Sequence, residues 1–177
     1  MSELTEPESV WLACAIDGEG SITTSLNWYN GKPSFRPRIL VYNTNLSFIK
    51  EAERLFGTNM KTQNPNITTN QKPEYQARLH KRQRIVDVLE QIFPYLIIKK
   101  EEAEVVIAWC KHRLKWYNKE YDVKDYEYYL VLKSLNSAKG KTVKEVGEEF
   151  ILKIRTKCTY PNKYVNLVNE ATKNLEV

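Results

Sequence analysis

An α+β architecture, a four-stranded antiparallel sheet followed by helices, is what the hydrophobic patterning of this chain predicts. Three observations carry it. Apolar residues recur at helical spacing, then at strand spacing, in the order helix, two strands, helix, two strands, helix. Asn30-Gly31, a strong hairpin turn signal, separates the first two strand-like runs. Past residue 117 the spacing stays helical, which confines the strands to the first part of the chain.

Each element has its own signal. Thr5-Glu6-Pro7-Glu8 offers a capping hydroxyl, an acidic first turn and a Glu at the third helical position, and apolar residues then run to Ile16. Gly18 and Gly20 end that pattern. Residues 21–29 are rich in Thr, Ser and aromatic rings, and 35–43 read as the returning strand, with Arg36 and Arg38 on one face. Phe48, Ala52, Leu55 and Phe56 mark a helix over 47–56, stopped by Gly57. Residues 59–68 and 74–81 are the second pair of strands; in the latter Tyr75, Ala77 and Leu79 alternate with Glu74, Gln76, Arg78 and His80. A short amphipathic helix over 85–93 ends at Pro94, a longer one covers 101–117, and Thr142 to Glu145 form a second capping box. Residues 117–125 are the one candidate boundary, dividing a core over 1–117 from a helical extension over 118–177.

Composition narrows the function classes. The chain of 177 residues carries a net charge of +5, and the excess is collected, because residues 20–84 hold eleven Lys and Arg against three Glu. A basic, strand-rich segment suits a face that meets a polyanion. The longest apolar run, 10–16, is far too short to cross a bilayer, and Glu3, Glu6 and Glu8 sit where a signal peptide needs basic residues. An intracellular protein is therefore expected. Cys14, Cys110 and Cys158 are odd in number, widely spaced and without a CxxC, which argues against a disulfide framework and a structural zinc site.

The segment that carries chemistry is Trp11-Leu12-Ala13-Cys14-Ala15-Ile16-Asp17-Gly18-Glu19-Gly20-Ser21. Small residues occupy the middle of an amphipathic helix, so two helix backbones could approach closely along it. Helical spacing puts Ala13, Cys14 and Asp17 on one side and leaves Leu12, Ala15 and Ile16 for a core. The helix end then delivers two carboxylates, Asp17 and Glu19, among glycines that let backbone come near a ligand. One reading is a hard metal ion held against phosphate. The plainer one is a helix C-terminus with a glycine stop and a solvated acid, and spacing alone leaves both open.

Residues 12–20 resemble the LAGLIDADG motif of homing endonucleases, matching at Leu12, Ala13, Ile16, Asp17 and Gly20, with Gly18-Glu19-Gly20-Ser21 a variant of its ending. Cys14, Ala15 and Glu19 depart from the usual Gly, bulkier apolar residue and Asp. The order of elements to residue 117 resembles that family's αββαββα core, and Pro94-Tyr95-Leu96-Ile97-Ile98-Lys99 resembles a downstream stretch ending in a basic residue. The resemblance implies a site-specific, intron-encoded type of DNA endonuclease that hydrolyses phosphodiester bonds with Mg2+, other divalent cations being conceivable. Glu19 would be the catalytic metal ligand, assisted by the Gly18 carbonyl. Asn45, at the end of the second strand, would position water, and Lys99 would stabilise charge on the phosphate.

The sheet would lie in the major groove of double-stranded DNA. Period two then selects Ser25, Asn27, Arg36, Arg38 and Tyr42 on the first hairpin and Glu74, Gln76, Arg78 and His80 on the second. Lys32, Lys61 and Lys81 are the phosphate candidates. A single motif implies a homodimer acting on a long, roughly palindromic site, with Ala13, Cys14 and Asp17 at the helix pair. The family occurs in chloroplasts, mitochondria and prokaryotes, so it leaves the compartment open. Two alternatives share the scaffold: an RNA maturase that assists intron splicing, and a non-catalytic DNA-binding regulator. Retention of Glu19 and Lys99 favours cleavage over both.

Other local signals carry less. Trp116, Tyr117, Tyr121, Tyr126, Tyr128 and Tyr129 read as packing at the join to an extension that would buttress the core and touch flanking phosphates. Gly140-Lys141-Thr142 lacks the first glycine of a phosphate loop, since position 135 is Leu135. Cys110 and His112 are two apart on a helix and do not share a face.

Overall fold

The structure is a computed structural model and describes residues 3–58, 74–116 and 120–176. Helix α1 (Glu6–Glu19) is opened by the expected capping box, in which the Thr5 amide donates to the Glu8 carboxylate at 2.8 Å. It runs past Ile16 and through Gly18, farther than the glycines suggested, because the Gly20 amide still closes the last turn on the Ile16 carbonyl. The chain turns extended only at Gly20.

Strands β1 (Gly20–Tyr29) and β2 (Lys32–Asn43) pair antiparallel from Gly20 opposite Val41 to Tyr29 opposite Lys32. Asn30 and Gly31 both take positive φ, 49° and 69°, as a two-residue hairpin turn requires. Strand β2 begins three residues earlier than the sequence suggested and contains Pro33 and Pro37. The Phe35 amide points away from β1, to the Tyr121 hydroxyl at 3.2 Å. By the period of two, the nitrogens of Pro33 and Pro37 point the same way, so their missing N–H groups cost no ladder bond to β1.

Strand β3 (Tyr75–Leu79) pairs antiparallel with β2 over Ile39 to Asn43, giving the order β1-β2-β3. The sequence predicts four strands; three are found among the described residues, and the remaining one, 59–68 with Lys61, lies outside them. Strand β3 stops at Leu79, so His80 and Lys81 lie beyond it, Lys81 as the residue that opens the next helix. The helices are α2 (Leu46–Phe56), α3 (Arg82–Ile92), α4 (Lys100–Lys115), α5 (Val123–Leu135), α6 (Val143–Lys157) and α7 (Pro161–Leu175). Gly57, at φ 61°, ends α2, and the Arg84 guanidinium satisfies its last carbonyls, Phe56 at 2.9 Å and Leu55 at 2.8 Å.

One continuous core runs from α1 to α7. Phe35 of β2 sits at its aromatic centre, with the rings of Trp109, Tyr121, Tyr126, Tyr129 and Phe150 between 4.8 and 6.0 Å away. Tyr126 and Tyr129, expected to pack, are thus wrapped around the first hairpin, while Trp116 is half-exposed. Asp125 is fully buried beneath them and accepts from Trp109 Nε1 at 2.8 Å and from Arg113 at 3.2 Å. Losing one side of such a pair strands a buried charge and costs about 3–5 kcal/mol. Polar ties complete the seam: Asn136 donates to the Ile22 carbonyl at 3.1 Å, and the Thr159 amide donates to that of Gly31 at 3.2 Å.

Candidate functional site

The site is built where α1 runs into the sheet. A Cβ on Gly20 would lie 2.7 Å from Ile16 Cα, 2.8 Å from Ile16 O and 2.9 Å from Leu40 O. All three are backbone atoms that cannot swing aside, so only glycine lets the helix end rest on β2. Gly18 is different: a Cβ there would meet nothing within 4 Å, and the residue faces open surface.

Asp17 fastens this helix end to the start of α4. Its carboxylate accepts the amides of Ile97 at 2.7 Å, Ile98 at 3.2 Å and Lys99 at 2.9 Å. Burial opposes ionisation of Asp17, but those three amides and the Lys99 charge outweigh it and hold its pKa below the ordinary aspartate value. The Lys99 ammonium donates to the Asp17 carbonyl at 2.6 Å, which brings it to the chain end that carries Glu19. A carboxylate at a helix C-terminus opposes the macrodipole; Asp17 is compensated by serving as the N-terminal cap of another helix.

Glu19 receives no such compensation. It is exposed, and among the described residues no donor or cation is paired with it. Gly18, also exposed, precedes it, so a carboxylate and a backbone carbonyl lie on adjacent exposed residues. That donor set fits a hard cation that keeps several waters and takes its remaining ligands from a phosphate or a second chain. Asn45 follows β2 and opens α2, where its Oδ1 accepts from Ser47 at 2.9 Å and Phe48 at 3.3 Å. The amide nitrogen of that side chain remains for a further partner.

The free face of α1 differs from the spacing estimate. Ala13 is fully buried in the chain's own core and Asp17 is engaged by α4, so of the three residues assigned to a helix pair only Cys14 is exposed. The reason is a wide buried arc: both strands of the hairpin, α2 and α3 all pack on α1, covering Leu12, Ala13, Ala15 and Ile16. What remains open is the stripe Val10, Cys14 and Gly18, at successive i,i+4 steps. Beside it stand Ile97 and Ile98, exposed by 86% and 70%, residues that the sequence marks only as part of the stretch leading to Lys99. An aliphatic pair so exposed is unusual next to a helix end and extends the stripe.

The sheet presents the other part of the site. Register places Arg36 opposite Ser25, Arg38 opposite Thr23, and Tyr42 opposite Gln76, with Arg78 opposite Leu40. Ser25, Asn27, Arg36, Arg38, Tyr42, Gln76 and Arg78 therefore share one face. Glu74 and His80 flank β3 and are exposed, and Lys81 is exposed just beyond. Lys32 is at the hairpin tip, 3.5 Å from Glu120. The Nε atoms of Arg38 and Arg78 are buried without a hydrogen-bond partner, although Arg78 also donates to Gln76 at 2.6 Å. Lys133 of α5 adds charge from a distant part of the chain. Burial first, then the positive charges of Arg38 and Lys153, push its pKa below the ordinary lysine value. Positive charges gathered on one face suit a polyanion.

His112, Asp122 and Asp125 also converge, within 4.8 Å of one another. Their atoms are already used: His112 meets Asp122 at 3.1 Å, Asp122 and Asp125 form a reciprocal helix cap, and Asp125 holds Trp109 and Arg113. This is a structural knot rather than a metal centre.

No protein-family model and no curated protein matches the sequence. Solved structures do. The homing endonuclease I-CvuI in complex with DNA is 19% identical and has a TM-score of 0.55, the match covering 84% of this chain and 95% of that one. The archaeal intron-encoded homing endonuclease I-Vdi141I, complexed with DNA, gives 12% identity, a TM-score of 0.61 and coverage of 94% and 97%. The chain has the LAGLIDADG homing endonuclease fold. The group I intron-encoded I-CeuI, also complexed with DNA, is 14% identical with a TM-score of 0.57, over 85% of this chain and 78% of that one. I-CvuI has been solved with the I-CreI target in the presence of magnesium and with its own target in the presence of calcium. Among the described residues, no helix is long and apolar enough to cross a membrane.

Proposed function

We propose that the chain is a site-specific endonuclease for double-stranded DNA, working as a homodimer with a divalent cation, for which Mg2+ is the expected ion. The observation that carries this reading is the unpaired Glu19 carboxylate at the root of an arginine-rich sheet face, two residues beyond the Asp17 carbonyl that binds the Lys99 ammonium. I-CvuI, I-CeuI and I-Vdi141I, which share the fold, are homing endonucleases with DNA in their structures, which supports the same substrate class here.

In this reading the duplex lies along the sheet, with Arg36, Arg38, Gln76 and Arg78 over base edges and the lysines at phosphates. Glu19 and the Gly18 carbonyl would hold the cation, which supplies Lewis-acid stabilisation and an activated water. Lys99 places its charge at the phosphate, and Asn45 orients water through its side-chain amide. The stripe Val10, Cys14 and Gly18 with Ile97 and Ile98 is the proposed dimer face, bringing two Glu19 carboxylates to the symmetry axis. Residues 1–117 form the proposed catalytic core, and 118–177 an extension that stiffens the hairpin and adds Lys133.

The test is divalent-dependent cutting of a genomic or random duplex library by wild type and by Glu19→Gln. Losing the carboxylate should remove several kcal/mol of transition-state stabilisation, hence more than about a hundredfold in rate, without lowering duplex affinity. Equal cutting by the variant refutes the assignment of Glu19. Absence of any cutting, with tight binding of intron RNA, refutes the endonuclease reading as a whole.

A further inference from the structure

At the tip of the β1–β2 hairpin a cavity of about 600 Å3 opens between the strands and α7. One wall is Tyr121, held in place because its hydroxyl accepts from the Phe35 amide and donates to the Phe35 carbonyl, both at 3.2 Å. The Arg113 guanidinium covers the Tyr121 ring at 4.7 Å. Lys163 and Tyr164 of α7 form the opposite wall, and Trp28 and Tyr29 close the strand side. The contact from Thr159 to Gly31 fixes the hairpin against the α6–α7 link, so the cavity is preformed.

Its chemistry combines ring surface with uncompensated positive charge. Lys32 and Lys163 share the single carboxylate of Glu120, at 3.5 and 2.6 Å. Arg36 is exposed and has no acidic partner among the described residues. Tyr29, at 73% exposure, stands at the rim with its ring free. Aromatic faces beside cations are what a nucleotide needs, the rings for stacking and the cations for its phosphate.

Position adds the direction of approach. Ser34, Arg36 and Asn27 line the cavity and also belong to the outward sheet face, so the two surfaces are continuous. Strand β1 carries the tip about 30 Å from Glu19, given about 3.3 Å of rise per residue. We propose that this cavity takes an unstacked deoxynucleotide from the outer end of the bound DNA half-site. The approach of a duplex rests on the endonuclease reading above; the affinity of the cavity for a single strand does not.

The experiment measures anisotropy of fluorescein-labelled dT8, of a blunt duplex and of the same duplex with a four-nucleotide dT overhang. Tyr29→Ala and Lys163→Ala change only exposed side chains, and each is checked by thermal melting. Both should weaken dT8 binding about five- to tenfold and abolish the overhang's advantage, while blunt-duplex affinity stays within about twofold. Bound dT8 should also quench tryptophan emission, and Trp28→Phe should remove that quenching. Unchanged dT8 affinity in both variants, or an equal loss for the blunt duplex, overturns the proposal. If the protein cuts no duplex, yet dT8 binding still depends on Tyr29 and Lys163, the cavity assignment stands and the endonuclease reading falls.

Discussion

Gly20→Ala isolates the joint on which the whole site depends. The backbone at Gly20, φ −113° and ψ 179°, is open to any residue, so the substitution acts through space alone. The added methyl would sit 2.7–2.9 Å from three backbone atoms, two on Ile16 and one on Leu40. Ordinary contact needs at least about 3.4 Å, so the helix end and β2 must part by roughly half an ångström or more. Overpacking of this kind costs about 1–3 kcal/mol. For a chain of this size that lowers Tm by about 4–8 °C at the middle of the range. The displaced end carries Gly18 and Glu19, and misplacement approaching 1 Å costs about a hundredfold in rate. Circular dichroism melts and single-turnover cleavage measure the two effects. Gly18→Ala is the internal control: its Cβ meets nothing in the chain, so Tm should hold or rise slightly with helix propensity. Sedimentation should instead show weaker self-association, because the exposed stripe gains a methyl. A Gly20→Ala protein that melts and cuts like wild type refutes the account of the joint. A Gly18→Ala protein that dimerises as wild type does refutes the choice of dimer face.

Further outcomes follow from other contacts. Asp17→Ala removes the acceptor of the three amides that lead into α4 and should cost about 2 kcal/mol, the upper end of a helix-cap loss, read as a Tm drop of about 4–8 °C at pH 7. Asp125→Ala leaves Arg113 buried without its acid and should cost about 3–5 kcal/mol by urea denaturation; a loss below about 1 kcal/mol would show the pair to be solvated. The Thr5 backbone and then Arg54 hold the Glu8 pKa down at about 2, below its unfolded value, so its contribution is present above pH 4.5 and disappears as pH falls through about 2. Glu8→Gln should therefore flatten part of the acid limb of the melting profile and leave its shape above about pH 5 unchanged.

Local signals reached far into this fold. The capping boxes at Thr5 and Thr142, the Asn30-Gly31 turn and the Gly57 stop each act within a few residues, and the structure uses all of them. The polar alternation from Gln76 to His80 survives for the same reason, since a strand's two faces follow from its own pleat. Misplaced boundaries trace to neighbours: β2 absorbs Pro33 and Pro37 because their nitrogens face away from β1, and α1 reaches Glu19 because the Gly20 amide finds Ile16. Ala13 was assigned to a helix pair by angle alone, yet the arc covered by the hairpin, α2 and α3 is wider than helical spacing reveals.

The division runs through the motif itself. Residue order determined that two carboxylates would sit at the end of a small-residue helix, ahead of a basic, strand-rich segment, and that the later chain would be helical. The resemblance assigns the two acids different roles, but the physical cause that separates them is tertiary, because the amides of residues 97–99 and the Lys99 charge are some eighty residues away in sequence and choose Asp17, leaving Glu19 bare. The same holds for Lys133 beside Arg38 and for the cavity at the hairpin tip, which joins residues 28 and 164. Spacing reports what one turn or one strand does to its own side chains, whereas which group is neutralised and which is left to meet a ligand depends on chain segments that only folding brings together.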